Sequence, residues 1–579
     1  MQENEFTIKV GGEAGSGVMT IGLMLGKCFQ HLGLHVFGEN DYPSLIRGGH
    51  NTFTVRASGE KIYALNGALS ILICLNDETM TVHNAELAPN AAVIYDSQKS
   101  KVDVSKLRKD VKYVPIPMYE CAQKNGGEVF LNTVAIGAAL SLLGADFVVL
   151  EDVLKKIFSR KGGEIVQKNI AAGRCGYDGA KNSKAQIPFL AKRLPTKKQI
   201  LLNGNEAICI GALKGGCKFV AEYPMSPSSS VLHYMAAHER EYKMVVKHSE
   251  DEIAAANMLC GAAFTGCRAL TATSGGGFCL MVEAIGMAGI SETPITIVNA
   301  MRAGPSTGLP TYTEQADLQF ALHASQGEFP RLVFCPGDID ECFYGTIDAM
   351  NYSEILQTPA IILTDKHLAE QIVTTDRFDN SKVKILRGKI MSDAQMQSAT
   401  NFKRHEFTPD GISPRCFPGQ PNGIHVASSY EHDETGFTSE HPDMRISQID
   451  KRARKLASAP RSLIAPKIYG DENAKVAMVV WGSTKGTALE ALKVLQKDGK
   501  SIKLIQILWA SPFPDKEVKA ALNGVDKCIM LEGNSTGQMR NLIREKTGIL
   551  IENAYFKYDG RPFIVEDIIS RVKKLAGWQ

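Results

Sequence analysis

Closely spaced cysteines are missing from this chain. It holds 13 cysteines in 579 residues, yet no two stand nearer than the seven positions separating Cys260 from Cys267 and Cys335 from Cys342. That spacing excludes a CxxC site or a ferredoxin-type ligand run within this sequence. Cys74, Cys209, Cys260 and Cys335 lie in apolar stretches, where a thiol behaves as a small hydrophobe. All 13 are expected to be reduced residues of a cytoplasmic protein. An excess of charge is also absent: 65 Lys and Arg against 62 Asp and Glu leave +3. Nothing in that balance calls for nucleic acid or an anionic membrane as a partner. No signal-peptide pattern opens the chain, because Met1-Gln-Glu-Asn-Glu-Phe6 is acidic and leads straight into a strand. The longest apolar run, residues 131–150, contains Asn132 and Asp146 and breaks at Gly144, so a buried helix is expected there and not a membrane span.

Several catalytic signatures are lacking too. Ser274 sits in a glycine-rich turn after a strand, but no Gly-x-Ser-x-Gly elbow surrounds it. His233 and His238 are five apart with no third ligand nearby, so no metal site is expected. The turn Trp481-Gly-Ser-Thr-Lys-Gly486 lacks the glycine spacing of a P-loop. Gly11-Gly-Glu-Ala-Gly15-Ser-Gly17 follows the strand Phe6-Thr-Ile-Lys-Val10 and precedes a helical pattern through Leu32. It is not a strict dinucleotide fingerprint, and Leu34-His-Val-Phe-Gly-Glu39 ends without a convincing ribose ligand. Gly11, Gly12, Gly15 and Gly17 therefore read equally as tight packing or as a phosphate cradle at a helix N-terminus.

What is present is a repeated strand–turn–helix pattern. A chain of this length needs three or four domains. The predicted class is α/β, with three doubly wound, parallel-sheet domains over residues 1–190, 195–390 and 471–579. In the first, Tyr42-Pro-Ser-Leu-Ile-Arg47-Gly-Gly-His50-Asn leads into the alternating strand Thr52-Phe-Thr-Val-Arg56. Residues 391–470 are polar, turn-rich and poorly periodic, and are expected to form an ordered connecting arm.

Two irregular loops follow apolar strands. Tyr223-Pro-Met-Ser-Pro-Ser228 comes after Lys218-Phe-Val-Ala, and Arg302-Ala-Gly-Pro-Ser-Thr-Gly-Leu-Pro-Thr311 comes after Ile295-Thr-Ile-Val-Asn-Ala300. Open α/β sheets bind ligands at their carboxyl edge, and a guanidinium beside hydroxyls suits a small carboxylate. The plain alternative is two turn-rich loops with a solvated arginine. Between them lies His248-Ser-Glu-Asp-Glu252, with Gly261 nine positions beyond Glu252. Ser249 and Glu252 have capping-box spacing, which would make Glu252 a helix cap.

These segments, taken in order, resemble the α subunit of the 2-oxoacid:ferredoxin oxidoreductases, a thiamine-diphosphate family whose loops read close to YPITPSS and QRGGPSTGLPT. The resemblance runs through most of the chain. It implies a γ domain over 1–190, a pyrimidine-binding domain over 195–390 and a transketolase C-terminal-like domain over 471–579. It implies that Glu252 bonds the aminopyrimidine of the cofactor, with Glu250 as the alternative, and that Arg302, Ser226 and Thr311 take the substrate carboxylate. Ser226 replaces the usual threonine, Ala303 a glycine, and Gly276 stands where proline is frequent. The chain has no Gly-Asp-Gly segment, so the resemblance assigns Mg2+, the diphosphate and a [4Fe-4S] cluster to a β subunit. Coenzyme A, ferredoxin and a 2-oxoacid, 2-oxoglutarate favoured, are the implied partners. A non-redox thiamine enzyme and a non-catalytic assembly or coenzyme-binding subunit remain the other readings.

Overall fold

The computed structural model describes residues 2–45, 48–195 and 198–578, so Ile46 and Arg47 of the Tyr42–His50 stretch lie outside the described residues. The chain forms two compact units, Met1–Asn203 with Glu370–Arg377, and Gly204–Ala369 with Phe378–Gln579.

The first unit contains β1 (Glu5–Glu13), α1 (Val18–His31), β2 (His35–Asp41), β3 (His50–Ser58), β4 (Leu69–Cys74), β5 (Leu87–Asp96), β6 (Lys112–Ile116), α2 (Met118–Lys124), α3 (Leu131–Leu142), α4 (Gly163–Asn182) and β7 (Gln199–Leu202). Its eight-stranded sheet runs β6–β5–β4–β1–β3–β2, continues with the strand Ile372–Asp376, and ends on β7. Parallel pairing joins β1, β4, β5 and β6, whereas the β3 side is antiparallel. The strand Ile372–Asp376, from far along the chain, is antiparallel to both neighbours. On α1 the buried residues Val18, Ile21, Leu25, Cys28 and Phe29 follow the helical period. The apolar run 131–150 gives α3 and, after a turn at Gly144 in the left-handed region, a second helix, Val148–Phe158. Among the described residues no helix is long and apolar enough to cross a membrane.

Helices α3 and α4 approach until backbone meets backbone. A Cβ on Gly137 would lie 2.0 Å from the Gly173 carbonyl oxygen, and one on Gly176 would lie 2.0 Å from that of Val134. One expectation fails nearby: Cys121 on α2 and Cys175 on α4 form a disulfide, with Cα atoms 5.9 Å apart. Their separation of 54 positions conceals a pairing that only helix packing creates. Eleven other cysteines are free thiols.

The second unit begins with α5 (Gly204–Lys214), β8 (Phe219–Glu222), α6 (Ser229–Tyr242), β9 (Val245–His248), α7 (Glu252–Phe264), β10 (Ala269–Thr273), α8 (Gly275–Leu280), β11 (Thr296–Met301), β12 (Leu332–Phe334), α9 (Ile339–Leu356) and β13 (Ala360–Asp365). The later part supplies α10 (Pro442–Arg454), β14 (Val476–Trp481), α11 (Thr484–Lys497), β15 (Lys503–Ile507), β16 (Trp509–Ser511), β17 (Lys527–Glu532), α12 (Gln538–Thr547) and β18 (Asn553–Phe556). A seven-stranded sheet is ordered β9–β8–β10–β11–β13–β12–β16, parallel except for β16. Every residue of β10, β11 and β13 is buried, as strands covered on both faces must be. The third sheet runs from the strand Lys467–Gly470 through β15, β14 and β17 to β18. One apolar core joins the two sheets, from Ile297 and Leu363 to Val479, Ile505 and Met530. The fold is thus α/β, with three sheets of five or more strands among the described residues, each carrying at least one antiparallel pairing.

Between the sheets, residues 391–470 hold little regular structure beyond α10, yet they are tied down by charge. The fully buried Glu292 carboxylate pairs with Lys451 at 2.6 Å and with Lys455, and meets His405 Nδ1 at 3.0 Å. Arg404 donates to the Glu292 carbonyl oxygen and to Gln357 Oε1, each at 2.8 Å.

Adding a methyl group between α3 and α4 has nowhere to go. Gly137→Ala is expected to destabilise the protein by about 2 kcal/mol or more, read as a lowered denaturant midpoint; an unchanged midpoint would mean that the helices can separate freely.

Candidate active site

Because β8, β10, β11 and β13 are parallel, their carboxyl ends open onto one edge, and the two irregular loops leave from it. Helix α7 starts at the same edge. Its cap is not the expected Ser249. Asp251, in extended conformation, accepts from the Ala254 amide at 2.8 Å, while Ser249 Oγ donates to the Asp251 carbonyl oxygen at 3.0 Å. Asp251 immediately precedes the helix and reaches the third helical amide, so it takes the role from a serine two residues further out. Glu252 is thereby released from capping. It is 3% exposed, and its Oε1 has no hydrogen-bond partner. Glu250, the alternative, is exposed.

The Glu252 carboxylate reaches the glycine-rich first turn of α8, which follows β10. A Cβ on Gly277 would lie 2.4 Å from Glu252 Oε1 and 2.2 Å from Thr273 Oγ1, so only glycine leaves room there. Ser274, at the N-cap position of α8, has its Oγ buried and unpartnered.

Arg302 lies directly after β11. Its Nη1 donates to the Ser226 carbonyl oxygen at 2.8 Å, joining the two loops, and its Nε is buried without a partner. Burial lowers the guanidinium from its usual value, with the Asp317 charge opposing. Thr311 is buried with an unpartnered Oγ1, whereas the Ser226 side chain is exposed. The loop from 302 to 311 is folded on itself: Leu309 N donates to Ala303 O at 2.8 Å, and Ala303 N to Tyr312 O at 3.1 Å. Arg302 and Ser226 are therefore in contact, while Glu252 and Thr311 stand on neighbouring elements of the same edge.

Sequence reading passed over Asn299, Glu314, Asp317 and Glu222. Asn299 Nδ2 donates to Asp317 Oδ2 at 3.3 Å, and its own Oδ1 is unpartnered. Burial raises the carboxyls of Asp317 and Glu314 above the usual range. Glu314 accepts from Gly304 N at 3.2 Å. Thr364 Oγ1 and Asp365 Oδ2 at the end of β13 are also buried without partners. The signal that would have found Asn299, Thr364 and Asp365 is polar residues in largely apolar strands: Asn299 lies inside β11, and Thr364 and Asp365 close β13. Glu222, last residue of β8, is fully buried, and burial pushes its carboxyl well above the usual range.

In the first unit, packing accounts for three of the four turn glycines. A Cβ would meet Thr79 at Gly11, Ser16 at Gly12 and Asn132 at Gly17, in each case at 2.6 Å or less. Gly15 has open space but a φ of +88°, as does Gly17 at +91°. Beside Gly11, His50 Nε2 meets His83 Nε2 at 2.8 Å and His83 Nδ1 meets Glu86 at 2.5 Å. Among the described residues, Glu292, His405 and His432 have metal-ligand spacing. Lys451 and Lys455 already occupy that carboxylate, so the cluster is an ion-paired node.

The comparisons agree on one family. Residues 210–451 match the family described as "Pyruvate flavodoxin/ferredoxin oxidoreductase, thiamine diP-bdg". Residues 7–179 match "Pyruvate ferredoxin/flavodoxin oxidoreductase", and 474–568 match its "core domain II". The chain is 33% identical to the 2-oxoacid:ferredoxin oxidoreductase subunit alpha of Saccharolobus solfataricus, over 98% of this chain and 97% of that one. It is 29% identical to the 2-oxoglutarate synthase subunit KorA of Methanothermobacter thermautotrophicus, over 65% of this chain and 99% of that one. Among solved structures, the 2-oxoglutarate:ferredoxin oxidoreductase from Magnetococcus marinus, with 2-oxoglutarate, coenzyme A and succinyl-CoA bound, superposes with a TM-score of 0.91 at 33% identity, covering 99% of each chain.

Glu222 gives a signed pH prediction. Burial favours its neutral carboxyl in the fold, whereas the unfolded chain ionises it near 4.5, so folding takes up a proton above that pH. That contribution is complete below pH 4.5 and is lost as pH rises towards the folded value. Glu222→Gln should therefore gain stability relative to wild type as pH rises from 4.5 through neutrality, measured by denaturant titration; a parallel pair of pH profiles would show that Glu222 is ionised in the fold.

Proposed function

The chain belongs to the α-subunit family of the 2-oxoacid:ferredoxin oxidoreductases, and from that membership we propose that it supplies half of a site for coenzyme A-dependent oxidative decarboxylation of a 2-oxoacid, with 2-oxoglutarate favoured. The products are the acyl-CoA, CO2 and reduced ferredoxin. The preference for 2-oxoglutarate is supported by the Magnetococcus marinus enzyme's bound ligands and by the name of the Methanothermobacter relative. A β subunit would hold the Mg2+-bound diphosphate and a [4Fe-4S] cluster, since the cysteines here have no ligand spacing. Residues 1–190 would serve as the γ domain, 195–390 as the pyrimidine-binding domain, 391–470 as the arm and 471–579 as the transketolase C-terminal-like domain.

One observation carries this reading: unpartnered buried polar atoms gather at the carboxyl edge of a single sheet. Glu252 Oε1, Ser274 Oγ, Asn299 Oδ1, Arg302 Nε, Thr311 Oγ1, Thr364 Oγ1 and Asp365 Oδ2 are all buried there without partners. Each such atom has a desolvation cost of about 1–3 kcal/mol, so a cluster of them marks a place prepared for a polar ligand. The residues fit a thiamine cofactor: a buried carboxylate at a helix start for the aminopyrimidine, set against Gly277 where any side chain would displace it. When bound, thiamine diphosphate supplies the carbanion chemistry.

The chain's residues then have distinct tasks. Glu252 holds and orients the aminopyrimidine and places a proton at its ring nitrogen. Arg302 presents its fork to the substrate carboxylate, with Nη1 already fixed by Ser226 O and Nε free to donate. Thr311 Oγ1 and the Ser226 hydroxyl add donors around that carboxylate. Gly11, Gly12, Gly15 and Gly17 shape a turn in the first unit that we assign to coenzyme A.

The test is anaerobic co-expression with a β subunit, followed by viologen reduction on a panel of 2-oxoacids with and without coenzyme A. Reduction that requires both coenzyme A and one acid is expected; decarboxylation without electron transfer, or no turnover at all, would sink the proposal. In the active assembly Glu252→Gln should lower kcat by about 100-fold or more while folding normally. Arg302→Lys should raise KM for the 2-oxoacid by about 10–100-fold; an unchanged KM would place the carboxylate elsewhere.

A further inference from the structure

Gln315 lies four residues beyond Thr311, in the strand of chain that carries the substrate loop towards Asp317. It is 2% exposed, and all its polar atoms are satisfied by turns of the third sheet. Its amide donates to Gly533 O at 2.7 Å, and its carbonyl oxygen accepts from Asn534 Nδ2 at 3.0 Å. Its Nε2 donates to Trp481 O at 3.0 Å. Its Oε1 accepts from Thr484 Oγ1 at 3.0 Å and from Gly533 N at 2.8 Å. Two glycines make room for it: a Cβ on Gly482 would lie 2.6 Å from Gln315 Nε2, and one on Gly533 would lie 3.1 Å from Gln315 Cγ.

The neighbouring residues extend the hold. Gln538 Nε2 donates to Ala316 O at 2.6 Å, its Oε1 accepts from Gln319 N at 2.9 Å, and Thr313 N donates to Gly560 O at 3.3 Å. Two residues after Gln315, Asp317 receives Asn299 Nδ2 and acts on the Arg302 charge. The loop that bears Arg302 and Thr311 thus has one end fixed by β11 and the other by the third sheet.

We propose that Gln315 is a positioning residue: through it the turns after β14 and β17 hold the loop from 302 to 317 in register, so that affinity for the 2-oxoacid carboxylate is set by a side chain that does not touch it. This rests on the roles given above to Arg302 and Thr311. Gln315 accomplishes it because five hydrogen bonds from one residue reach two separate turns, which leaves the segment no freedom to slide.

The experiment compares wild type, Gln315→Met, Gly533→Ala and the double variant, each assembled with the β subunit. Gln315→Met keeps the bulk and removes the side-chain bonds, while Gly533→Ala disturbs the same contact from the other side. Each single variant should raise KM for the 2-oxoacid about tenfold, with kcat within about threefold and KM for coenzyme A unchanged. The double variant should be no worse than the worse single one, because both act on one contact. Amide hydrogen exchange at Ala303, Leu309 and Tyr312 should quicken in all three variants. A KM within about twofold of wild type in either single variant overturns the proposal. So do parallel losses in both substrates and kcat, or effects that multiply in the double variant. Should wild type turn over no 2-oxoacid, the functional reading fails by itself, and exchange then decides: protection unchanged by the substitutions overturns the positioning role.

Discussion

A charge removed from water must be paired, and the second unit is built around one that is. Glu292 is wholly buried, and its carboxylate is held well below the usual range by Lys455, Lys451 and His405 against its own desolvation. Burial pulls Lys455 down to about 7 and holds His405 well below its ordinary value. Removing one partner from such a node leaves an uncompensated buried charge, at a cost of about 3–5 kcal/mol. That dependence explains how a polar stretch with little regular structure remains in place. Arg404, His405, Lys451 and Lys455 all come from the arm, and Glu292 comes from the loop entering β11. The arm is attached to the strand whose far end delivers Arg302.

The carboxyl edge of the same sheet follows the opposite rule. Where the Glu292 carboxylate is ion-paired by Lys451 and Lys455, Glu252, Thr311, Arg302 and Asn299 each keep an atom unmatched. The contrast is informative because both regions belong to one unit and one core. A fold able to surround Glu292 with Lys451, Lys455 and His405 has the means to pair Glu252, yet its helix is capped by Asp251 and Glu252 Oε1 stays without a partner. Several unmatched buried polar atoms brought together at one sheet edge forgo stability there, as a site kept ready for a ligand must.

Much of this could be read from the sequence, and the failures share a cause. Strand–turn–helix punctuation placed β1 with α1, the apolar helix α3, and β14 with α11, because these depend on neighbours in the chain. The loops around Ser226 and Arg302 were legible as Pro- and Gly-rich breaks after apolar strands. The capping box was misread because Ser249 and Asp251 are both favoured N-cap residue types, and only backbone geometry shows which side chain reaches Ala254 N. The Cys121–Cys175 disulfide and the strand Ile372–Asp376 in the first sheet arise from contacts between distant segments. Gln315 gave no local signal at all: a glutamine in a polar loop looks solvated until the turns at Gly482 and Gly533 are placed around it.

These observations also separate what the sheets contribute. The seven-stranded sheet carries the residues proposed for the site, since its parallel strands deliver them to one edge. The third sheet carries none of the proposed contacts, and its turn after β14 lacks the glycine spacing for a nucleotide. Its turns are instead shaped around Gln315, with glycine where a Cβ would displace that side chain. A domain fused behind a site can thus contribute through rigidity. By holding the far end of the substrate loop, it reduces the ordering that ligand binding would otherwise have to supply, at about 0.5–1.5 kcal/mol for each mobile side chain. The same logic applies to the arm behind β11. Arg302 can keep an unpaired Nε because the strand before it is anchored by the ion-paired Glu292 and the loop after it by the hydrogen-bonded Gln315.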